Sequence, residues 1–423
     1  MTDTSPRVET VARPSGFSDL RRQLRAIDTS PIVALGRGVW IHGAGGMGRS
    51  LAGALRTAGV PILGFLDRKA IQETSMEGLR VLHPDAIGDS EVENAFHVHA
   101  LMHHYAPSCA VTEWAAARGF SGLLFPADLY RIPGFKFQNY WLAAPVDTMA
   151  KIDLVEAFHD ALGDEESRVL LRDLVLYRLT TDPRLHPKVM YAEAYSPDFL
   201  PIFDTPITFV DGGAYTGDSL EALLRRGVKV EDWIAFEPDA ENMIVLRETA
   251  NRYKDRVGSC TLIQSGLADH AGRMAFSDGE GEASHMISSP DRATMVTHVD
   301  IVRADDFITE KPGLYIKLDI EGAEMAALQG MPKLLSSKPI LAVSIYHKPF
   351  DLWEIPLYLM RCCSGSEFRM RQHGHHGFDT VLYMFPKKRG STRSGQQARS
   401  DVGDTETVDG SSSHSGTSRT GAT

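Results

Sequence analysis

The stretch TFVDGGAYTGDSL, residues 208–220, decides the fold. An apolar run from Ile207 to Val210 ends in Asp211, passes through Gly212, Gly213 and Gly217, and continues into a pattern suited to a helix. A strand that enters a glycine-rich turn and leaves it as a helix is the opening of a βα unit, the repeating element of parallel α/β sheets. A comparable stretch, GVWIHGAGGMGRSL at 38–51, stands earlier in the chain.

Working outward from 208–220, strands are expected at ITFV (207–210), WIAF (233–236), CTLIQ (260–264), LYIKL (314–318) and ILAVSIY (340–346), with helices between them. EFRMRQ (367–372) and TVLYMF (380–385) follow, joined by the turn-rich HGHHGFD, and suit an antiparallel hairpin. The block reads as a doubly wound, mostly parallel sheet with an antiparallel C-terminal hairpin at its edge. Around 38–51 the alternation VWIH, RSLAGALRTAG, PILGFLD, AFHVHAL, VTEWAAARGF and GLLFP implies a smaller Rossmann-like sheet. AKIDLVEAFHDAL and ESRVLLRDLVLYRLT, between the two blocks, carry apolar residues at helical spacing. The expected organisation is an N-terminal, partly disordered segment at 1–30, a nucleotide-binding-type domain at 31–130, a helical connector at 131–206, a second α/β domain at 207–386 and a low-complexity tail at 387–423.

Composition bounds the function. The 423 residues are 43% hydrophobic and 23% charged, with 44 Lys plus Arg against 55 Asp plus Glu, a net charge of −11. Such a surface repels nucleic acid and anionic membrane, so neither is an expected partner. The polar N-terminus is unlike a signal peptide, and no apolar run reaches the ~20 residues of a membrane span. Cys109, Cys260, Cys362 and Cys363 have no paired metal-site spacing and read as reduced thiols. A cytoplasmic location is expected.

Gly43, Gly45 and Gly48 form G-x-G-x-x-G, and Asp67 ends the next strand 24 positions after Gly43, where an acid that binds ribose belongs. Those four residues are candidates for a nucleotide, against the alternative that the glycines only permit a tight turn and close helix–strand packing. The second turn differs because Asp211 immediately precedes its glycines. A carboxylate there opposes a pyrophosphate and suits a cationic cofactor that also presents donors. S-adenosylmethionine, with its sulfonium, ammonium and ribose hydroxyls, meets both conditions. Glu237 in AFEPD is placed for the ribose and Asp269 in GLADHAG for the adenine amino group. The cofactor-binding candidates are therefore Asp211, Gly212, Gly213, Tyr215, Gly217, Glu237 and Asp269.

Residues 207–386 resemble the FkbM family of S-adenosylmethionine-dependent methyltransferases. The matching stretches are FVDGGAYTGD (209–218), AFEPDAENMIVL (235–246), GLADHAG (266–272), ADDFI (304–308) and IKLDIEGAEMAALQGM (316–331). The K-x-D-x-E-G-A-E core of the last is the most specific. The resemblance implies methyl transfer to a hydroxyl of a carbohydrate or of a glycosylated or secondary-metabolite acceptor. Residues before 130 resemble the small Rossmann-like domain found in front of sugar-modifying enzymes.

Asp319 and Glu321 follow the strand LYIKL directly, at the sheet edge where ligands bind. His347 ends the neighbouring strand. Those three are the catalytic candidates, His347 as general base with Asp319 as its orienter or substitute. Glu324 reads as an acid stabilising a helix N-terminus. His97, His99, His103 and His104, with His373, His375 and His376, read as surface or loop histidines, and no metal site is expected. Rival readings make the chain a non-catalytic nucleotide- or S-adenosylmethionine-binding scaffold, or an NAD-dependent oxidoreductase working through the first glycine turn.

Overall fold

Alternating apolar segments dictate two large sheets in the computed structural model, which describes residues 12–190, 193–277 and 296–387. Of the segments expected at 1–30 (partly disordered) and 387–423 (low-complexity tail), residues 1–11 and 388–423 lie outside the described residues. The first sheet holds β1 (Gly38–His42), β2 (Ile62–Leu66), β3 (Thr74–Met76), β4 (Leu79–Leu82), β5 (Ala95–His99) and β6 (Gly122–Leu124) in the order β3-β4-β2-β1-β5-β6. All neighbours pair in parallel except β3 with β4. That short hairpin was not expected. Its turn is Glu77–Gly78, both at positive φ (51° and 75°), the backbone of the two-residue turn that Asn-Gly announces more plainly.

The second sheet holds β7 (Ile207–Gly212), β8 (Val230–Phe236), β9 (Val257–Ile263), β13 (Leu314–Leu318), β14 (Ile340–Ser344), β15 (Ser366–Gln372) and β16 (Thr380–Pro386), in the order β15-β16-β14-β13-β7-β8-β9. β16 runs antiparallel to both β14 and β15 and lies between them. The antiparallel strand is therefore one place inside the edge where it was expected. The helix Asp351–Cys362 carries β15 to the edge, and the hairpin returns β16 into the gap. A second difference lies between β9 and β13. No α-helix occurs there among the described residues; instead β10 (Gly266–Leu267), β11 (Gly272–Ser277) and β12 (Val296–Val302) form a three-stranded sheet. VTHVDIV alternates with period two and is rich in β-branched residues, so it favours a strand.

The helices expected as a connector belong to the core of the second sheet. The helix Glu165–Thr180 is capped by Asp164, which accepts from Ser167 N, and is buried from Leu170 to Leu179. Its leucines share one apolar cluster with Phe158, with Ile316 and Leu318 of β13 and with Leu341 and Val343 of β14. Phe17, Leu20 and Leu24 of the helix Phe17–Ala26 join the same cluster, so residues far apart in sequence close one core. Met47, Tyr130 and Phe137 pack against both this cluster and that of the first sheet. No helix among the described residues is long and apolar enough to cross a membrane.

Candidate active site

The order β13-β7 places side by side two strands whose connections leave in opposite directions, the crevice where doubly wound sheets bind ligands. A cavity of about 730 Å³ lies there. One wall is the turn after β7. Gly213 has φ +72°, and a Cβ on it would stand 1.9 Å from the Asp319 carbonyl oxygen, so only glycine lets the two strand ends approach. Gly213 N and Ala214 N both donate to Phe236 O, at 3.1 and 3.0 Å. Glu237 ends β8 beside them. Its carboxylate accepts from Tyr215 N (2.9 Å) and Asp239 N (2.8 Å), and burial raises its pKa against the pull of those two N–H groups.

Gly213, Tyr215 and Glu237 line the cavity, while Gly217 caps the helix Asp218–Arg225. Asp211 and Gly212 are fully enclosed beneath the turn. Asp211 is completely buried, 3.2 Å from Lys317 Nζ, which also donates to Gly213 O at 2.5 Å. Burial pushes the Asp211 carboxyl up to about 6, and Lys317 opposes that shift. Asp211 was expected to meet a cofactor's cation directly, but its partner is Lys317, the K of K-x-D-x-E. Asp269 is half exposed, pairs with His270 Nδ1 at 2.6 Å and stands outside the cavity wall, which Ser265, Gly266 and Leu267 form instead. The short strand β10 carries the chain past the site before Asp269 is reached.

Asp319 and Glu321 line the opposite wall. Asp319 Oδ2 accepts from Tyr195 OH at 2.8 Å, a contact the sequence did not announce because Tyr195 lies outside both strand blocks. Glu321 has φ +53°, a left-handed backbone that non-glycine residues adopt sparingly, and it occurs here at a cavity wall. His347 stands behind the two carboxylates and is only 6% exposed. Its Nδ1 is 2.8 Å from Glu324 Oε1, and its Nε2 is 3.5 Å from Asp319 Oδ1 and 3.7 Å from Glu321 Oε2. Burial alone would lower the imidazole pKa, but Glu324, Glu321 and Asp319 push it up to about 10. Burial also takes Glu321 up to about 8. The three acids therefore favour the protonated imidazole, which works against the general-base role expected of His347. Glu324 is likewise more than a helix-end acid. It is fully buried, and its Oε1 also accepts from Ile320 N at 2.9 Å.

Residues 211–379 match the family model of the methyltransferase FkbM domain. A crystal structure of the methyltransferase FkbM from Methylobacillus flagellatus KT is similar over 87% of this chain and 98% of that one, with a TM-score of 0.66 and 21% identity. A putative rRNA-methylase from Clostridium thermocellum matches 48% of this chain and 99% of that one, at 13% identity and a TM-score of 0.31. No curated protein sequence matches.

Around residues 211–379, the rest of the chain completes the site. Met102, His103, His104 and Tyr105, after β5 of the first sheet, line the cavity with Tyr140, Tyr346 and Phe378. The Tyr140 ring lies 5.2 Å from Phe378 and 6.4 Å from Tyr346. His373 also lines the cavity. The remaining histidines do not form a surface group. His97 and His376 are 1% exposed, and a buried polar path runs His42–His97, His99–Ser108–His376–Tyr177 across the two sheets.

Gly43, Gly45, Gly48 and Asp67 lie on the first sheet, away from the cavity walls. Asp67 Oδ2 accepts from Ala44 N at 2.9 Å and Oδ1 from Lys69 N at 2.8 Å, the arrangement Glu237 shows on the second sheet. A Cβ on Gly48 would stand 1.8 Å from Gly43 O, whereas Gly45 faces open space.

Proposed function

We propose that the chain is an S-adenosylmethionine-dependent O-methyltransferase whose acceptor is a neutral, hydroxyl-rich molecule, a carbohydrate or a glycosylated secondary metabolite. The observation that carries this reading is the sign of the cavity wall. Among the described lining residues, Asp218, Glu237, Asp319, Glu321 and Asp379 face one lysine, Lys317, whose charge Asp211 engages. Such a wall attracts a sulfonium and disfavours a pyrophosphate or a phosphorylated acceptor. That sign also weighs against an NAD-dependent reaction in this cavity.

The residues present fit the cofactor. Glu237 offers carboxylate oxygens to ribose hydroxyls, and the Gly213–Gly217 turn allows close approach of its backbone. When bound, S-adenosylmethionine supplies an electrophilic methyl carbon. Asp319 and Glu321 hold the acceptor hydroxyl at the opposite wall, and its proton passes to one of these carboxylates as the oxygen is methylated. His347 and Tyr195 fix the position of Asp319. The aromatic wall of Tyr140, Tyr346 and Phe378 offers flat apolar faces to the CH groups of a sugar ring.

Calorimetry with S-adenosylmethionine tests the cofactor, and incubation with the methyl-labelled compound and fractionated glycans, read by mass spectrometry, tests the acceptor. Loss of a buried, charged hydrogen-bonding group costs about 1.5–3 kcal/mol. Glu237→Ala is therefore expected to weaken cofactor binding roughly 10- to 100-fold. Unchanged affinity in that variant refutes the assignment.

A further inference from the structure

We propose that Asp319, Glu321 and His347 bind a divalent first-row cation, with Mn²⁺ the best fit, at the acceptor wall of the cavity. The inference deepens the methyltransferase reading and rests on it. Asp319, Glu324 and His347 each offer a ligand atom, all within 4.8 Å of one another. The imidazole divides this group into two shells. Glu324 Oε1 is fixed by Ile320 N and lies 2.8 Å from Nδ1, the position of a carboxylate that orients a histidine whose other nitrogen binds metal. Nε2 faces Asp319 Oδ1 at 3.5 Å and Glu321 Oε2 at 3.7 Å. Two donors on one ion, each bound at about 2.0–2.2 Å, stand roughly 3.0–3.6 Å apart. Each carboxylate is thus near ion-bridging distance of the imidazole, and Glu321, whose side chain is 26% exposed, has room to close.

Two independent observations point to an ion. Both ring nitrogens of His347, Oδ1 of Asp319 and Oε2 of Glu324 are buried without a hydrogen-bond partner among the described residues, although Nδ1 keeps its ion-pair contact with Glu324. Such orphaned atoms are rare in folded proteins and call for a cause. Charge is the second. Three carboxylates gather round one imidazole, and Lys317, which acts on Asp319, is engaged by Asp211. A divalent cation at Nε2 corrects that excess. Two carboxylates and one imidazole are hard-to-borderline donors, suited to Mn²⁺ and unsuited to thiophilic ions. Because Asp319 and Glu321 line the cavity, the ion's remaining positions open towards the acceptor. A bound hydroxyl there loses its proton more readily through Lewis-acid polarisation, and the proton leaves to water or to a lining carboxylate.

The test uses the full chain stripped with a chelator and titrated with Mn²⁺, followed by electron paramagnetic resonance. One ion per chain with submillimolar, saturable binding is expected. Asp319→Asn and Glu321→Gln should each weaken it at least tenfold, and Glu324→Gln roughly 10- to 100-fold through loss of imidazole orientation. Thermal melts of each variant show whether it is folded, and the titration of the unaltered chain stands even if one is not. Absence of saturable Mn²⁺ binding overturns the inference, as does unchanged affinity in folded Asp319→Asn. Calorimetry with S-adenosylmethionine on the same stripped protein separates the two claims. Full methyl transfer without metal removes the ion and leaves the methyltransferase reading, whereas Mn²⁺ binding without cofactor binding removes that reading alone.

Discussion

Lys317 shows how one residue sets the electrostatics of the site. Its ammonium is buried, which works against the charge, yet Asp211 at 3.2 Å, together with Asp319 and Asp218, outweighs that cost and holds its pKa above the ordinary value. Breaking a buried pair from one side leaves the other charge uncompensated, at a cost of about 3–5 kcal/mol. Lys317→Met should lower the stability measured by urea unfolding by that amount, and adding Asp211→Asn should recover much of it. Equal stability of Lys317→Met and the unaltered chain would show that the pair is not formed. The K-x-D-x-E spacing was legible in the sequence, but the direction of each side chain was not. Lys317 and Asp319 are two apart and both line the cavity, yet only Lys317 reaches under the turn, to Gly213 O, while Asp319 meets Tyr195. Asp211 looked like a ligand residue because nothing local showed that a lysine more than a hundred positions away would cover it.

At the scale of elements, the two glycine turns share a plan and differ in use. Each joins a strand to a helix, and each is held by an acid from the end of the next strand, Asp67 or Glu237, accepting backbone N–H groups. The glycines within a turn are not equivalent. Gly48 packs its helix onto Gly43 O with no room for a Cβ, while Gly45 faces open space at φ −73°. Gly48→Ala should therefore lower Tm by several degrees, and Gly45→Ala should leave it within a degree or two, as core clashes and exposed sites ordinarily behave. Equal effects in a calorimetric scan would contradict this account of the turn. Strand–turn–helix units of this kind are legible because their periodicity and punctuation are local. The hairpin at Glu77–Gly78 and the strand Val296–Val302 were missed: the first lacks the usual Asn-Gly pair, and the second takes the place expected of a helix.

At the scale of the molecule, the first sheet forms part of the site of the second. The loop after β5 supplies His104 and Tyr105 to the cavity wall. Replacing both by alanine should raise the acceptor KM at least tenfold and leave S-adenosylmethionine affinity intact, because Glu237 and Gly213 lie on the other wall. A matching loss of cofactor affinity would place this loop on the cofactor instead. The buried histidines between the sheets predict an acid response. Burial lowers His42, His99 and His376 to about 4, with Arg68 opposing and Asp67 supporting protonation at His42 and Asp182 supporting it at His99. Unfolded histidine titrates near ~6.5, so the unfolded chain takes up protons first as pH falls. Every tenfold by which it binds a proton more tightly than the folded chain penalises folding by about 1.4 kcal/mol. The contribution is complete above pH ~6.5 and is lost as pH falls towards about 4. The stability difference between the unaltered chain and His99→Gln, followed by urea unfolding, should shrink across that window; a constant difference would rule the effect out. The division proposed between 206 and 207 separates two sequence patterns, but the helix Glu165–Thr180 on one side of it shares its core with β13 and β14 on the other.

The sequence by itself determined the two α/β blocks, the crevice after β7 and β13, and the acids Glu237, Asp319 and Glu321 at its edge. Strand periodicity and glycine turns are properties of neighbouring residues, and the end of a parallel strand is a fixed address. Only the tertiary structure decided which side chains meet there. It placed Lys317 on Asp211, Tyr195 on Asp319, and three carboxylates around His347, and it brought the loop after β5 to the cavity. Each of these contacts joins residues whose separation along the chain says nothing about their separation in space. The charge state of His347 follows from the sum of those contacts, because burial and neighbouring carboxylates act on it in opposite directions and only their distances show which prevails.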